Sequence, residues 1–343
     1  MRVFLDSNPT IPGHTVRGMG RYASQLLQAM KGHKNVQLVG KNDKPEIAHH
    51  PFFDLFFNTL HERGNVPTVV TVHDTHPIIY PEHFPVGIRG KLKFVLQKKR
   101  LQKADAIIVN TETTKKDVVL FLDISADKIF VTHFAASGSC KLITHHQSLL
   151  TVCKKYDLPA RFILYVGDIN YNKNIPGLIR AFSLVTHHSS LTTHLALVGK
   201  AFEGETNEAE EIRKLIKELQ IEDKVHILGF VPDEDLVKIY NLAEVYCQPS
   251  FYEGFGFPVL EAMACGTPVV AGRTQALVEI GEGAALFVDP KNVQDVARGI
   301  ERVISDSNLR KGLIAAGLKK AKEFDWRKTA YKTVNVYKKV LGE

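Results

Sequence analysis

The sequence predicts an α/β protein of two doubly wound, parallel-sheet domains. Three observations carry the prediction. Short apolar, β-rich runs alternate with longer amphipathic stretches along the whole chain, the pattern of strand–helix–strand units on a parallel sheet. The alternation occurs in both halves, with six candidate strands in each. The length of 343 residues exceeds an ordinary domain of about 100–200 residues, so each half can bury its own core.

In the first half the candidate strands are RVFLD (2–6), VQLV (36–39), EIAHH (46–50), TVVTVH (68–73), AIIVN (106–110) and KIFVT (128–132). In the second they are RFILYVG (161–167), HLALVG (194–199), KVHILG (224–229), EVYCQ (244–248), TPVVA (267–271) and AALFVD (284–289). Near-continuous apolar runs of this length suit strands covered on both faces. The helices between them show a 3.6-residue period. NIPGLIRAFSLV (174–185) repeats Ile175, Leu178, Ile179 and Phe182, and NEAEEIRKLIKEL (207–219) repeats Ile212, Leu215, Ile216 and Leu219. The strand pattern lapses over 140–160, which places the join there and divides the chain into 1–155, 156–325 and a terminal helix, 326–343. That helix carries the stripe Trp326, Tyr331, Val334, Tyr337 and Val340 and needs a surface to bury it, with the first domain as the candidate.

Composition narrows the class. Hydrophobic residues at 44% and charged residues at 24% are near globular averages and exclude disordered, collagen-like and coiled-coil chains. The four cysteines lack a C-x-x-C pair, so neither a disulfide framework nor a zinc ribbon is expected, and a cytoplasmic location fits. Asp6 interrupts the place where a signal peptide needs an apolar run, and no stretch of about 18 apolar residues suggests a membrane span. The net charge of +7 is uneven: residues 1–155 carry 21 Lys+Arg against 12 Asp+Glu, and residues 156–343 carry 23 against 25. A basic half-molecule suits an anionic partner or simply solubility.

Four segments can carry chemistry. In SFYEGFGFPVLEAMACGTPVVA (250–271), Glu253 and Glu261 stand eight positions apart. Between them, Gly254 and Gly256 permit close backbone approach, and Pro258 opens a helix whose amides favour an anion. Either acid alone is ordinary near a helix start. In VGDINYNKNIPGLIRAF (166–182), Lys173 precedes a helix N-terminus, where a lysine can pair with phosphate or stand merely exposed. In VRGMGRYASQLLQAM (16–30), Gly18, Gly20 and Arg21 precede an amphipathic helix. GMGRYA is a partial dinucleotide fingerprint, but the loop before it is too long and no ribose-binding acid follows. In TVHDTHPIIYPE (71–82), His73 and Asp74 end the best N-terminal strand, where a histidine can serve a ligand or a turn can begin. The paired histidines 49–50, 145–146 and 187–188 lack metal-ligand spacing, and PDEDL (232–236) reads as helix capping.

In their shared order these segments resemble glycosyltransferase family 4, retaining enzymes of the GT-B fold. EGFGFPVLEAMACGTPVVA resembles the family's Glu-x7-Glu element, and YVGDINYNKNIPGLIRAF its strand–loop–Lys segment. LGFVPDEDLVKIYNLAEVYCQPS, VEIGEGAALFVDP, GMGRY and TVHD are similar to its remaining motifs. The resemblance implies two facing Rossmann-like domains with a cleft between them, an acceptor-side first domain and a nucleotide-sugar-binding second one. It implies that Glu253, Lys173 and His73 form the catalytic set. Glu253 and His73 would hold the donor sugar, and Lys173 would neutralise the diphosphate. Gly18, Gly20, Gly254, Phe255, Gly256 and Phe257 would approach sugar and diphosphate. Glu261 would bind the ribose, and Phe230 and Val231 would border the base. No metal and no cofactor are implied, the nucleotide sugar being a substrate. One departure stands out: Asp168 occupies a position where the family often has Arg, leaving Arg17, Arg21 and Arg273 as substitute cations.

The expected activity is retaining hexosyl transfer from a nucleotide sugar, GDP-mannose ahead of UDP-sugars on family frequency, to a glycan or lipid-linked acceptor. The alternatives are a non-catalytic sugar-nucleotide or glycan-binding protein, a sugar-nucleotide epimerase and, from GMGRYA, a nicotinamide-dependent oxidoreductase. Nucleic acid is not an expected partner. RGKLKFVLQKKRLQK (89–103) interleaves seven basic residues with Leu92, Phe94, Val95, Leu96 and Leu101. It reads either as a peripheral contact with an anionic membrane at its inner face, or as a solvated helix whose apolar stripe lies in the core.

Overall fold

The computed structural model describes residues 1–6, 18–61, 64–144, 146–188 and 193–343. The chain divides into two compact units, one of Met1–Ala135 with Phe324–Glu343 and one of Ala136–Glu323. Each is built on a six-stranded, wholly parallel sheet.

The first sheet contains β1 (Arg2–Leu5), β2 (Gln37–Leu38), β3 (Ile47–His50), β4 (Thr68–Val72), β5 (Ala106–Val109) and β6 (Ile129–Val131), in the order β2-β1-β3-β4-β5-β6. Its helices are α1 (Gly18–Lys31), α2 (His76–Ile79), α3 (Ile88–Gln102) and α4 (Glu112–Leu122). β4 and β5 are buried at every residue, as their unbroken apolar runs require. Val70, Val72, Ile107 and Val109 pack with Leu101 of α3 and Val118 of α4.

The second unit begins with α5 (His146–Lys155), followed by β7 (Phe162–Val166), α6 (Ile175–His188), β8 (His194–Val198), α7 (Asn207–Glu218), β9 (Val225–Gly229), α8 (Asp233–Leu242) and β10 (Val245–Gln248). Then come α9 (Phe257–Ala264), β11 (Val269–Gly272), α10 (Gln275–Gly281), β12 (Leu286–Val288), α11 (Val293–Ser305) and α12 (Ser307–Ala321). The strand order is β12-β11-β10-β7-β8-β9. The order therefore reverses between β7 and β10, which pair through Val245 with Ile163 and Tyr246 with Leu164. Ile179 and Phe182 of α6 pack with Ile163, Leu195 and Val245. Helices α7 and α11 start on capping side chains, Thr206 accepting from the Ala209 amide and Asn292 from that of Asp295.

Each of the twelve predicted runs contains a strand. Three local readings differ. The sequence assigns α5 to the first half, but the second unit contains it, because Lys155 Nζ and Tyr156 Oη reach the buried Asp235 carboxylate of α8 at 2.7 and 3.1 Å. Asp235 is thus no cap; α8 starts at Pro232 without a side-chain cap. In α13 (Trp326–Leu341), which belongs to the first unit, Tyr331 is exposed. The buried face runs through Ala330, Thr333, Val334 and Tyr337, the true i, i+3, i+4, i+7 series. Thr329 Oγ1 anchors the helix by donating to the His133 carbonyl at 2.8 Å.

Candidate functional site

In doubly wound sheets, ligands bind beyond the carboxyl ends of the strands where the strand order reverses. In the second unit that point lies between β7 and β10, and the segments leaving these strands carry Lys173 and Glu253. Lys173 Nζ donates to both oxygens of Glu253, at 2.8 and 2.7 Å. Glu253 Oε1 also accepts from Gln248 Nε2 and Ser250 Oγ, each at 2.7 Å. The carboxylate is buried, and the lysine retains partial exposure. Burial of this anion is offset by one cation and two neutral donors, the arrangement that holds a charge in place away from water.

The two segments are also fastened to each other. The Phe251 amide donates to the Asn172 carbonyl at 2.8 Å, and Asn172 Nδ2 to the Tyr252 carbonyl at 3.0 Å. Asn174, left-handed at φ 55°, donates from Nδ2 to the carbonyls of Pro249 and Pro290 at 3.0 and 2.7 Å. Tyr246 Oη donates to Gln248 Oε1 at 2.5 Å, orienting the amide that serves Glu253. Asp168 is exposed, and its carbonyl accepts from the buried Tyr165 hydroxyl at 2.7 Å. Burial, then the nearby Glu253 and Asp168 charges, push the Tyr165 phenol far above its ordinary pKa, so it stays a donor.

Gly256 is left-handed (φ 105°) and caps α9 with no side-chain bond. A Cβ there would meet Leu277 Cδ2 at 2.5 Å, so only glycine fits without displacement. Phe257 and Pro258 form the first turn of α9. Gly254 and Phe255 are buried, and the Phe255 and Phe257 rings meet edge to face at 5.3 Å. Glu261, one turn inside α9, is buried and accepts from Tyr240 Oη at 3.0 Å. After β9, the Phe230 amide donates to Glu203 Oε1 at 2.9 Å; the Phe230 ring is exposed and Val231 is buried. Arg273, following β11, lies over the Phe287 ring at 5.7 Å.

In the first unit His73 directly follows β4 and is buried. Its Nε2 lies 2.8 Å from the Pro51 carbonyl; a carbonyl only accepts, so Nε2 carries the proton and Nδ1 the lone pair. The ring meets Tyr22 edge to face at 4.9 Å and Phe134 at 5.4 Å. The His73 carbonyl accepts from Asn110 Nδ2 at 2.8 Å. Burial pushes the imidazole pKa down, against the Pro51 carbonyl and the Asp74 charge, which keeps the ring neutral. Gly18 and Gly20 fall in the first turn of α1 rather than in a preceding loop; Gly18 is exposed and Gly20 buried. Arg21 is half-buried, and Arg17 lies outside the described residues. Among the described residues no group of three His, Cys, Asp or Glu side chains is placed to hold a metal ion.

Sequence reasoning found Lys173 and Glu253 but not the residues that hold them. Ser250 had a readable signal, since S-x-x-E is a spacing at which a hydroxyl and a carboxylate meet locally. Asn172, Asn174 and Tyr240 had none, because their partners are distant in sequence; Gln248 reaches Glu253 five positions on, a spacing that matches no local capping motif.

Two family descriptions match this chain: Glycosyltransferase Family 4 over residues 5–134 and Glycosyl transferases group 1 over residues 154–320. The O-antigen chain mannosyltransferase B of Escherichia coli is 32% identical over 273 residues, 79% of this chain and 70% of that protein. The serotype-specific mannosyltransferase WbdA of Escherichia coli is 30% identical over 283 residues, 81% of this chain, which spans only 34% of WbdA's length. Among solved structures, the sucrose-phosphate synthase of Thermosynechococcus elongatus superposes with a TM-score of 0.78 at 19% identity, covering 100% of this chain and 99% of that one.

Proposed function

Because the chain belongs to the group 1 glycosyltransferases of family 4 and has the GT-B fold, we propose that it transfers a hexosyl group from a nucleoside diphosphate sugar to a glycan or lipid-linked acceptor with retention of configuration. Mannose carried by GDP is the first choice of donor, since two relatives that match 79% and 81% of this chain at 32% and 30% identity are named mannosyltransferases; a UDP-sugar is the second.

The observation that carries the proposal is the Lys173–Glu253 pair at the strand-order reversal. The donor's diphosphate competes with Glu253 for the Lys173 ammonium. Glu253 then accepts hydrogen bonds from sugar hydroxyls while Gln248 and Ser250 keep it in position. The bond from the anomeric carbon to phosphate oxygen breaks, and its electron pair stays with the diphosphate. Lys173 and the N-terminus of α9 stabilise the developing charge. The acceptor hydroxyl attacks the same face and passes its proton to the departing phosphate oxygen. Glu261 holds the ribose, and Phe230 and Val231 border the base. Gly254, Phe255, Gly256 and Phe257 line the sugar and diphosphate. From the first unit, Gly18 and Gly20 serve the diphosphate, and neutral His73 offers its Nδ1 lone pair to a sugar hydroxyl. In this reading no metal takes part, and turnover continues in EDTA. A cytoplasmic location goes with it, in keeping with four cysteines that lack a C-x-x-C pair.

The test is a thermal-shift panel of GDP, UDP, ADP and their sugars, followed by transfer assays. Stabilisation by one nucleotide and product formation that fails in Glu253→Gln and Lys173→Met are expected. Unchanged turnover in both variants overturns the site assignment, and epimerised donor without transfer overturns the reaction.

A further inference from the structure

The carboxyl ends of β8 and β9 carry an acid that its local role does not explain. The strands are neighbours, and the Gly199 amide after β8 donates to the carbonyl of Gly229, the last residue of β9, at 2.9 Å. After Gly199 the chain makes a short 3-10 turn, Lys200–Glu203. Three contacts fix this turn. Phe202 is buried, its ring edge to face with Tyr165 at 6.2 Å. Arg213 of α7 donates Nη1 to the Phe202 carbonyl at 3.2 Å and Nη2 to the Gly204 carbonyl at 3.0 Å. Glu203 Oε1 accepts from the Phe230 amide at 2.9 Å. Gly229 makes room for that carboxylate, since a Cβ there would collide with it. Yet Glu203 is exposed, and among the described residues neither a second donor nor a cation engages it. Joining the two segments takes one acceptor, which a glutamine would supply. The charge and the second oxygen are left over, beside a Phe230 ring that is 46% exposed.

We propose that Glu203 selects the base of the donor, and that the base is guanine. The inference rests on the nucleotide-sugar reading, in which Phe230 and Val231 border the base. Glu203 stands where a doubly wound sheet receives its ligand, beyond the strand carboxyl ends. An ionised carboxylate accepts and never donates. Guanine presents two donors side by side, N1–H and the 2-amino group, which a carboxylate can take in parallel. Uracil presents its N3–H between two carbonyls, so oxygen meets oxygen and the approach is repulsive. Adenine offers its 6-amino group beside the N1 lone pair, which allows one bond at most. The exposed Phe230 ring supplies a face on which any base can stack. Stacking thus holds the base, and Glu203 tells one base from another.

The experiment is calorimetric titration of the full chain with GDP, UDP, ADP and inosine diphosphate, which is GDP without the 2-amino group. The parent chain should bind GDP about 10- to 100-fold more tightly than inosine diphosphate, the range of a lost hydrogen bond to a charged group, and more tightly than UDP or ADP. In Glu203→Gln the side-chain carbonyl keeps the Phe230 amide, so the melting temperature should match that of the parent. Its NH2 then faces the base, opposed to guanine's donors and matched to a uracil carbonyl. GDP should weaken by about 10- to 100-fold, its advantage over inosine diphosphate should vanish, and UDP should tighten. A role confined to joining the two segments would move none of these ratios. Equal binding of GDP and inosine diphosphate by the parent chain overturns the proposal. So does tighter binding of UDP or ADP than of GDP, or a set of ratios unchanged in Glu203→Gln; each of these leaves transfer from a nucleotide sugar standing. Absence of binding by all four nucleotides overturns the proposal together with the nucleotide-sugar reading.

Discussion

Replacing Lys173 by Met removes the one cation that contacts the buried Glu253 carboxylate among the described residues while preserving the stem of the side chain. Removing one partner of a fully buried ion pair costs about 3–5 kcal/mol, because the remaining charge keeps its desolvation penalty. Two features of this pair lower that figure. Gln248 and Ser250 still donate to Oε1 at 2.7 Å, and the lysine side chain keeps 22% of its exposure. A loss of about 1–3 kcal/mol is therefore expected. At about 2–4 °C per kcal/mol for a unit of this size, the melting temperature should fall by roughly 2–12 °C. Glu253→Gln should cost less, since the orphaned lysine can turn to water and Gln can still accept from Ser250 and Gln248. The double variant Lys173→Met/Glu253→Gln should be more stable than Lys173→Met alone, because the uncompensated anion has gone. Turnover should behave differently. Each single variant should lose about 100- to 1,000-fold in kcat, with no recovery in the double. The assay is a double-mutant cycle read twice, by urea unfolding and by initial transfer rates. Wild-type stability in Lys173→Met would refute the electrostatic reasoning, and recovery of turnover in the double variant would refute the catalytic roles.

Stability should fall in mild acid because His49 is buried, with Nδ1 2.6 Å from Tyr337 Oη and Nε2 2.8 Å from Thr71 Oγ1. Burial, then the neighbouring His50 and His73, lower its pKa from 6.5 to about 3. The unfolded chain therefore takes up a proton below pH 6.5 that the folded one refuses, costing up to about 1.4 kcal/mol per pH unit. Urea unfolding at pH 7.5 and 5.0 should show about 2 kcal/mol of loss, smaller in His49→Gln; equal slopes for the two proteins would contradict this. Gly256→Ala should destabilise by about 1–3 kcal/mol and slow turnover, because its Cβ meets Leu277 at 2.5 Å with φ at 105°; an unshifted melting temperature would count against the strained cap. Tyr240→Phe removes a buried donor 3.0 Å from Glu261 Oε2 and should cost about 1–2 kcal/mol. If Glu261 holds the ribose, KM for the donor should rise more than kcat falls. Asp168→Arg adds an exposed cation beside the β7 loop and should tighten nucleotide binding roughly three- to tenfold at low salt, an effect that calorimetry in high salt should erase.

The sequence by itself determined the local elements of this protein. Each of the twelve apolar runs contains a parallel strand, most plainly β4, β5, β10 and β11, which are buried at every residue and must therefore be continuously apolar, a property written within five or so adjacent residues. The left-handed glycine before α9 and the lysine before α6 were legible for the same reason: backbone conformation and helix ends are local. Contacts between distant segments were not. Nothing along the chain says that β10 lies beside β7, yet that neighbourhood brings Glu253 to a lysine 80 positions earlier. Asp235 looks like a helix cap until Lys155, the last residue of α5, and Tyr156 just after it arrive at its carboxylate. Tyr331 and Tyr337 look alike in sequence, but a slip of one position on the helix turns the former to solvent while His49 receives the latter. The stripe of α3 was visible as a pattern, but a periodic pattern has no direction. Only tertiary packing, which buries Gln97 and leaves Leu92 and Leu96 outside, decided which face of that helix meets the core and which faces solvent.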